Sequence, residues 1–135
     1  MKYRRDVDIL RDQLTLLLLL RKLEERRFQT KRLKLQKLVY LADVFGTVFG
    51  KKPTTYTFRV YKLGPFSREI YTDIERLVSI GDTQAKEMER WIPEQERSFR
   101  YKITEKGIDS IREISVMAEF RSSEKAIEFT LQAAG

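Results

Sequence analysis

The 135-residue chain contains no cysteine and no histidine. The first absence removes disulfides, thiolate nucleophiles and thiolate zinc sites; the second removes imidazole as a metal ligand and as the base of any triad built on it. A long hydrophobic run is also missing. The most apolar stretch, LTLLLLL from Leu14 to Leu20, falls far short of the roughly 18 to 20 residues that a membrane span needs. Asp6, Asp8 and Asp12 precede it and RKLEERR follows it without a small-residue cleavage site, which is not the layout of a signal peptide. No phosphate-binding glycine loop is present, since neither Gly46 nor Gly50 is followed by the required Lys-Ser/Thr pair. Carboxylate pairs such as Glu24 with Glu25, or Asp73 with Glu75, lack an acid/base partner, and no acidic cluster has the spacing of a metal site. These absences predict a cytoplasmic protein that is not an enzyme and needs no cofactor or metal.

What the chain does have is charge. Its 27 Lys and Arg against 20 Asp and Glu leave a formal +7, and charged residues make up 35% beside 41% hydrophobic ones. That apolar fraction supports a folded core, and the length predicts one domain over residues 1–135 that buries roughly two thirds of its unfolded surface. The positive excess attracts phosphate polymers and other acidic surfaces at long range, an attraction that salt screens.

The pattern of apolar residues predicts a first helix over 6–27, in which Leu16 to Leu20 point in every direction. Such a segment is either a central core helix or a seam between two subunits, and a homodimer is expected. A second helix is predicted from Thr30 as N-cap, with Leu35, Leu38, Val39, Ala42 and Phe45 on one face. Gly46 and Gly50 then loosen the chain before a loop at Pro53. YTFRVYKL, 56–63, reads as a strand with Tyr56, Phe58, Val60 and Lys62 on one side, ending at Gly64-Pro65. Ser67 is placed to accept from the first amides of a third helix, Phe66 and Tyr71 occupy hydrophobic-staple positions, Ile70, Ile74, Leu77 and Val78 form the buried stripe, and Gly81 is the stop. Strands are expected at 85–92 and 98–103, the second from the alternation of Phe99, Tyr101 and Ile103. Thr104 then caps a helix with Ile108, Ile111, Ser115 and Ala118 inward, and a last helix from Ser122 or Ser123 buries Ile127 and Leu131. The fold class is α+β: mainly helical, with a small antiparallel sheet.

Three groups of residues are candidates for binding. Lys31, Arg32, Lys34 and Lys37 crowd the start of the second helix, where the dipole is already positive and each unpaired cation costs roughly 0.3 to 1 kcal/mol. They call for an anionic neighbour: Glu24, Glu25 and the C-terminal acids within the chain, or else phosphate or an acidic partner; Arg26 and Arg27 extend the patch. On the third helix, Arg68, Thr72 and Arg76 are candidate base or backbone contacts, on a face that is also expected to carry Glu69, Asp73 and Glu75. The last hairpin offers Arg97, Arg100 and Lys102, with Arg100 and Lys102 on one strand face, as sequence-tolerant phosphate contacts.

A short helix after a turn, then a hairpin ending in YKITEKG, is similar to the recognition helix and wing of winged helix-turn-helix proteins. LKLQKLVYLAD at 33–43, followed by FRVYKLGPFSREIYTDIERLVSIG, resembles phage-associated and archaeal proteins of unknown function related to the Panacea antitoxin domain, over about residues 30 to 81. The first resemblance implies a winged-helix-like domain that binds double-stranded DNA as a transcriptional regulator through its basic helix and wing. The second implies an antitoxin-like protein that neutralises a partner such as a toxin by protein contact, through Tyr61 to Phe66 and the helix that follows.

Overall fold

Leu16 to Leu20 organise the molecule. In the computed structural model all five are 0 to 3% exposed within the single chain, because the helix that carries them is enclosed by three other helices and a strand. Residues 4–28, 31–62, 64–81, 83–87, 99–112 and 118–134 are described, with 83–87, 99, 100, 118, 119 and 134 described in backbone only. In chain order the elements are α1 (Asp6–Glu25), α2 (Arg32–Val48), β1 (Arg59–Tyr61), β2 (Gly64–Phe66), α3 (Arg68–Ser79), β3 (Thr83–Glu87), β4 (Phe99–Ile103), α4 (Glu105–Arg112) and α5 (Ala118–Ala134). Helices dominate, and the strands form two separate antiparallel hairpins, β1 with β2 and β3 with β4. The fold is α+β.

Each enclosed leucine contributes roughly 1.5 to 3 kcal/mol of burial. Since α1 meets α3, α4, α5 and β4, the run has no face left for a second subunit, and the expectation of a leucine seam in α1 gives way to a central core helix. α1 ends two residues before the expected boundary: Arg27 turns to φ 58 and the Phe28 amide donates to the Leu23 carbonyl at 3.0 Å, a left-handed stop made without glycine.

α2 starts one residue later than Thr30 predicts. Lys31 occupies the N-cap position, with no side-chain cap and no acid in the first turn; Thr30 itself lies outside the described residues. Gly46 does not loosen the chain but sits buried inside α2, where an added Cβ would stand 2.4 Å from Pro53 Cδ and 2.5 Å from the Lys51 carbonyl. Only glycine lets the loop after α2 fold back so closely.

The strand predicted over 56–63 shrinks to the three residues of β1, which pairs with Gly64–Phe66, where the strand was expected to end. Tyr56 is fully buried whereas Val60 is 83% exposed, so the two do not share a side. Tyr56 lies in extended backbone against the core, while by Val60 the chain has left the core to form a two-stranded ribbon. α3 follows as predicted, with Ile70, Ile74 and Leu77 buried and Gly81 at φ 88 ending it. Its start is held differently. Ser67 makes no side-chain cap; instead the Gln36 side chain accepts from the Ser67 amide at 2.8 Å and donates to its carbonyl at 2.9 Å, tying α2 to the N-cap residue of α3.

In the second hairpin β3 begins two residues earlier than expected, and Thr83 pairs with Ile103 through to Glu87 with Phe99; 88–98 lies outside the described residues. Tyr101 and Ile103 are buried as their alternation predicts. Thr104 caps α4, its hydroxyl accepting from the Gly107 amide at 3.1 Å and donating to the Gly81 carbonyl at 2.6 Å. Ser115 lies outside the described residues. The last helix starts at Ala118, ahead of Ser122 and Ser123, so Ala118 belongs to α5 and not to the core side of α4. Ser123 itself is buried, as are Ile127 and Leu131.

Candidate interaction surface

Residues 31–66 contain eight basic residues and one acid, Asp43. The acid is 4% exposed, so the surface built by α2 and the β1–β2 hairpin shows no carboxylate. Lys31, Arg32, Lys34 and Lys37 are all exposed. The Arg32 guanidinium lies 3.7 Å from the centroid of the Tyr71 ring on α3, and Lys34 Nζ lies 4.7 Å from that of Phe28. Among the described residues none of the four has an ion-pair partner.

Among the described side chains, four acids that the sequence offers as neutralisers, Glu24, Glu25, Glu124 and Glu128, are engaged elsewhere. Glu24 pairs with Lys102 at 3.2 Å and Glu25 with Arg21 at 3.2 Å. Glu124 and Glu128 both reach Lys22 at 3.1 Å, and Glu128 also binds Arg26 at 3.0 Å. Burial alone would lower Lys22 and raise Glu128, but the bonds between them prevail, so Lys22 is held above and Glu128 below its ordinary range. Arg26 is therefore not an extension of the open patch. Lys102, taken from the sequence as a phosphate contact, already has a carboxylate of its own chain. Arg100 lies in β4 opposite Lys86, and Arg97 falls outside the described residues.

Beside the open cations runs an aromatic ladder. Tyr71 stacks beneath Arg32, the Phe66 and Tyr71 centroids are 5.2 Å apart, and Tyr61 meets Phe66 edge-on at 5.7 Å. The Phe66/Tyr71 pair is the hydrophobic staple that the sequence predicts across the start of α3. Above the ladder opens a groove of about 600 Å³ lined by Leu33, Tyr61, Lys62, Gly64, Pro65 and Phe66. Leu33 is 50% and Tyr61 55% exposed, so apolar side chains reach water between cations.

On α3, Arg68, Thr72, Glu75 and Arg76 are exposed, but Asp73 is not. It is 1% exposed and takes two bonds from the Arg4 guanidinium, at 2.7 and 3.1 Å, and one from the Tyr56 hydroxyl at 2.6 Å. Glu69 is half-buried and also engaged, 3.1 Å from Arg4 Nε and accepting from the Thr57 amide at 3.0 Å. The three acids expected on the outer face reduce to one. The signal was present in the spacing: Ile70, Asp73, Ile74 and Leu77 follow the i, i+3, i+4, i+7 rule of a single face.

A second hollow of about 370 Å³ is lined by Tyr40, Asp43, Val44, Thr47, Lys52, Thr55, Tyr56, Thr57 and Phe58. Asp43 is occupied there, with the Thr54 amide donating to Oδ1 at 3.0 Å and the Thr54 hydroxyl to Oδ2 at 2.5 Å. Among the described residues no three potential ligands converge on a metal position, and no helix is long and apolar enough to cross a membrane. Compared with known proteins, the chain matches no family model and no curated protein.

Proposed function

We propose that this chain is a non-enzymatic module that binds a protein partner, by taking an acidic and apolar segment of that partner in the groove between α2 and the β1–β2 hairpin. The observation that carries the reading is the groove of Leu33, Tyr61, Pro65 and Phe66 set among exposed cations, with Asp43, the one acid of residues 31–66, buried. Phosphate rewards the cations alone. A protein segment rewards both: its carboxylates pair with Lys31, Lys34 or Lys62, and its apolar side chain covers Leu33 and Tyr61, worth about 25 cal/mol per Å² removed from water. The resemblance to the Panacea antitoxin domain implies the same kind of action.

The dye 8-anilinonaphthalene-1-sulfonate, an aromatic body bearing one anion, is a probe for such a groove. The folded protein is expected to enhance its fluorescence, and Leu33→Glu combined with Tyr61→Ser is expected to abolish the enhancement while the far-UV circular dichroism stays unchanged. Enhancement that is absent, or indifferent to the two substitutions, defeats the reading.

Duplex DNA is the second reading, favoured by the burial of Asp73, which leaves Arg68, Thr72 and Arg76 opposed only by Glu75 on the outer face of α3. On that reading the domain is winged-helix-like, α3 is presented to the duplex and the β3–β4 hairpin is its wing. Duplex affinity is then expected to fall steeply between about 50 and 200 mM salt and to drop when Lys31→Ser, Arg32→Ser and Lys34→Ser are combined. Retention on duplex unchanged by the triple substitution removes those contacts.

A further inference from the structure

α2 is apolar on two faces. The inner one, Leu35, Leu38, Val39 and Ala42, belongs to the core. The outer one presents Leu33, Tyr40, Val44 and Val48, at steps of seven, four and four that keep to one side of the helix, with Lys37 and Thr47 between them. Leu33, Val44 and Val48 are 50, 41 and 77% exposed, and Tyr40 is half-buried with its ring against Phe58 at 5.3 Å. A surface helix that packs only inward carries polar residues on this side.

The stripe joins the two depressions on this side of the molecule. Its first residue, Leu33, lines the groove of Tyr61 and Phe66, and Tyr40, Val44 and Thr47 line the hollow closed by Phe58. From Leu33 to Val48 it runs about 22 Å at 1.5 Å per residue. Lys37 stands within the stripe, Lys62 lines the groove and Lys52 lines the hollow.

Resting on the reading above, we infer that the partner's segment is an acidic amphipathic α-helix about four turns long, laid along the outer face of α2. It sets an apolar side chain into the groove at Leu33 and a carboxylate opposite Lys37. Helix-in-groove recognition uses this spacing of anchors, and the charge asymmetry identifies the occupant. A second copy of the chain would bring the same face, with its own Lys37 and no exposed acid, against this one, and like charges at such a contact oppose it.

A fluorescein-labelled peptide of five turns, with leucine at a and d and glutamate at e and g, tests this beside a scrambled peptide of the same composition. The helical peptide is expected to bind, and the scrambled one to bind at least about tenfold more weakly. Val44→Glu combined with Val48→Glu, both at exposed positions far from the groove, is expected to weaken the helical peptide about tenfold or more; Lys37→Glu is expected to do the same, with affinity regained by a peptide carrying lysine in place of the facing glutamate. Equal binding of the scrambled peptide, no binding of the helical one, or an affinity within about twofold of the parent after the Val44 and Val48 changes overturns the inference. The dye experiment decides the groove separately: dye bound at Leu33 and Tyr61 without an effect of Val44 and Val48 on the peptide removes the helix laid along α2 and leaves the groove reading standing. Failure of the dye removes both.

Discussion

Arg4→Met is expected to destabilise the protein by about 3 to 5 kcal/mol, the range for breaking a buried ion pair from one side. The Arg4 side chain is 8% exposed and its guanidinium reaches Asp12 at 3.1 Å, Glu69 at 3.1 Å and Asp73 at 2.7 Å. Its ring neighbour is Tyr56, whose centroid is 5.3 Å away. The bonds to Asp73 and then Asp12 outweigh the cost of burial and raise the guanidinium pKa even above its ordinary value, so the side chain stays charged. Methionine fills a similar volume but leaves Asp12 and Asp73, both 1% exposed or less, without a cation. Urea unfolding of the variant should show a lowered midpoint. Adding Asp12→Asn and Asp73→Asn should recover part of the loss, because the stranded charges, not the missing packing, dominate it. A stability within about 0.5 kcal/mol of the parent would mean that Arg4 does not clasp α1 to α3 at all. Arg4 ties α1 to α3, and α3 carries Tyr71 beneath Arg32, so dye binding in the groove should weaken along with stability.

That clasp also shows what could be read from the chain and what could not. α3 was legible almost residue by residue: the staple, the stripe and the glycine stop are local rules, and local rules depend only on near neighbours. Thr104 and the inward Tyr101 and Ile103 were legible for the same reason. The ends of elements were less so, because Thr30 and Ser67 are good caps by residue type while Lys31 takes the N-cap position and Gln36, thirty-one positions before Ser67, holds the start of α3. β1 was overextended because aromatic and β-branched residues fit both a strand and an extended segment packed on the core. The outer face of α3 was misjudged at Asp73, an acid on a buried stripe. Asp12, Asp43 and Asp73 share their faces with leucine, alanine and isoleucine, and the rule that charge faces water hid them, since their partners Arg4, Thr54, Thr55 and Tyr56 come from other parts of the chain. The cation run at the start of α2 was legible as a patch in want of an anion. Only the structure shows that the chain's own acids are spent on Lys22, Arg21, Arg26 and Lys102, and that apolar side chains stand beside the cations.

Stability is expected to fall as pH rises from about 4 to about 6, opposite to the usual behaviour of a protein held together by salt bridges. The source is Asp43. Burial pushes its carboxyl up to about 6, and the bonds from Thr54 and the Lys52 ammonium at 4.0 Å offset this only in part, while the charge of Asp12 pushes it further. In the unfolded chain an aspartate titrates near 3.9. Between the two values the folded protein therefore binds the extra proton, and each step up in pH costs the native state its neutral acid, for a total of about 3 kcal/mol. Asp12, raised by burial against the pull of Thr55 and Arg4, adds in the same direction. Glu128, held low by Lys22 and Arg26 although burial opposes them, acts in the other: its contribution is present above its unfolded value and lost as pH falls. Asp43→Asn isolates the term. Its amide oxygen still accepts from the Thr54 amide, its nitrogen donates to the Thr54 hydroxyl, and no buried charge forms, so the variant should equal or exceed the parent in stability above about pH 7. Urea midpoints taken across the range should show a much flatter dependence on pH for Asp43→Asn than for the parent. Two curves running parallel would place the proton elsewhere and leave Asp43 an ordinary carboxylate, charged throughout.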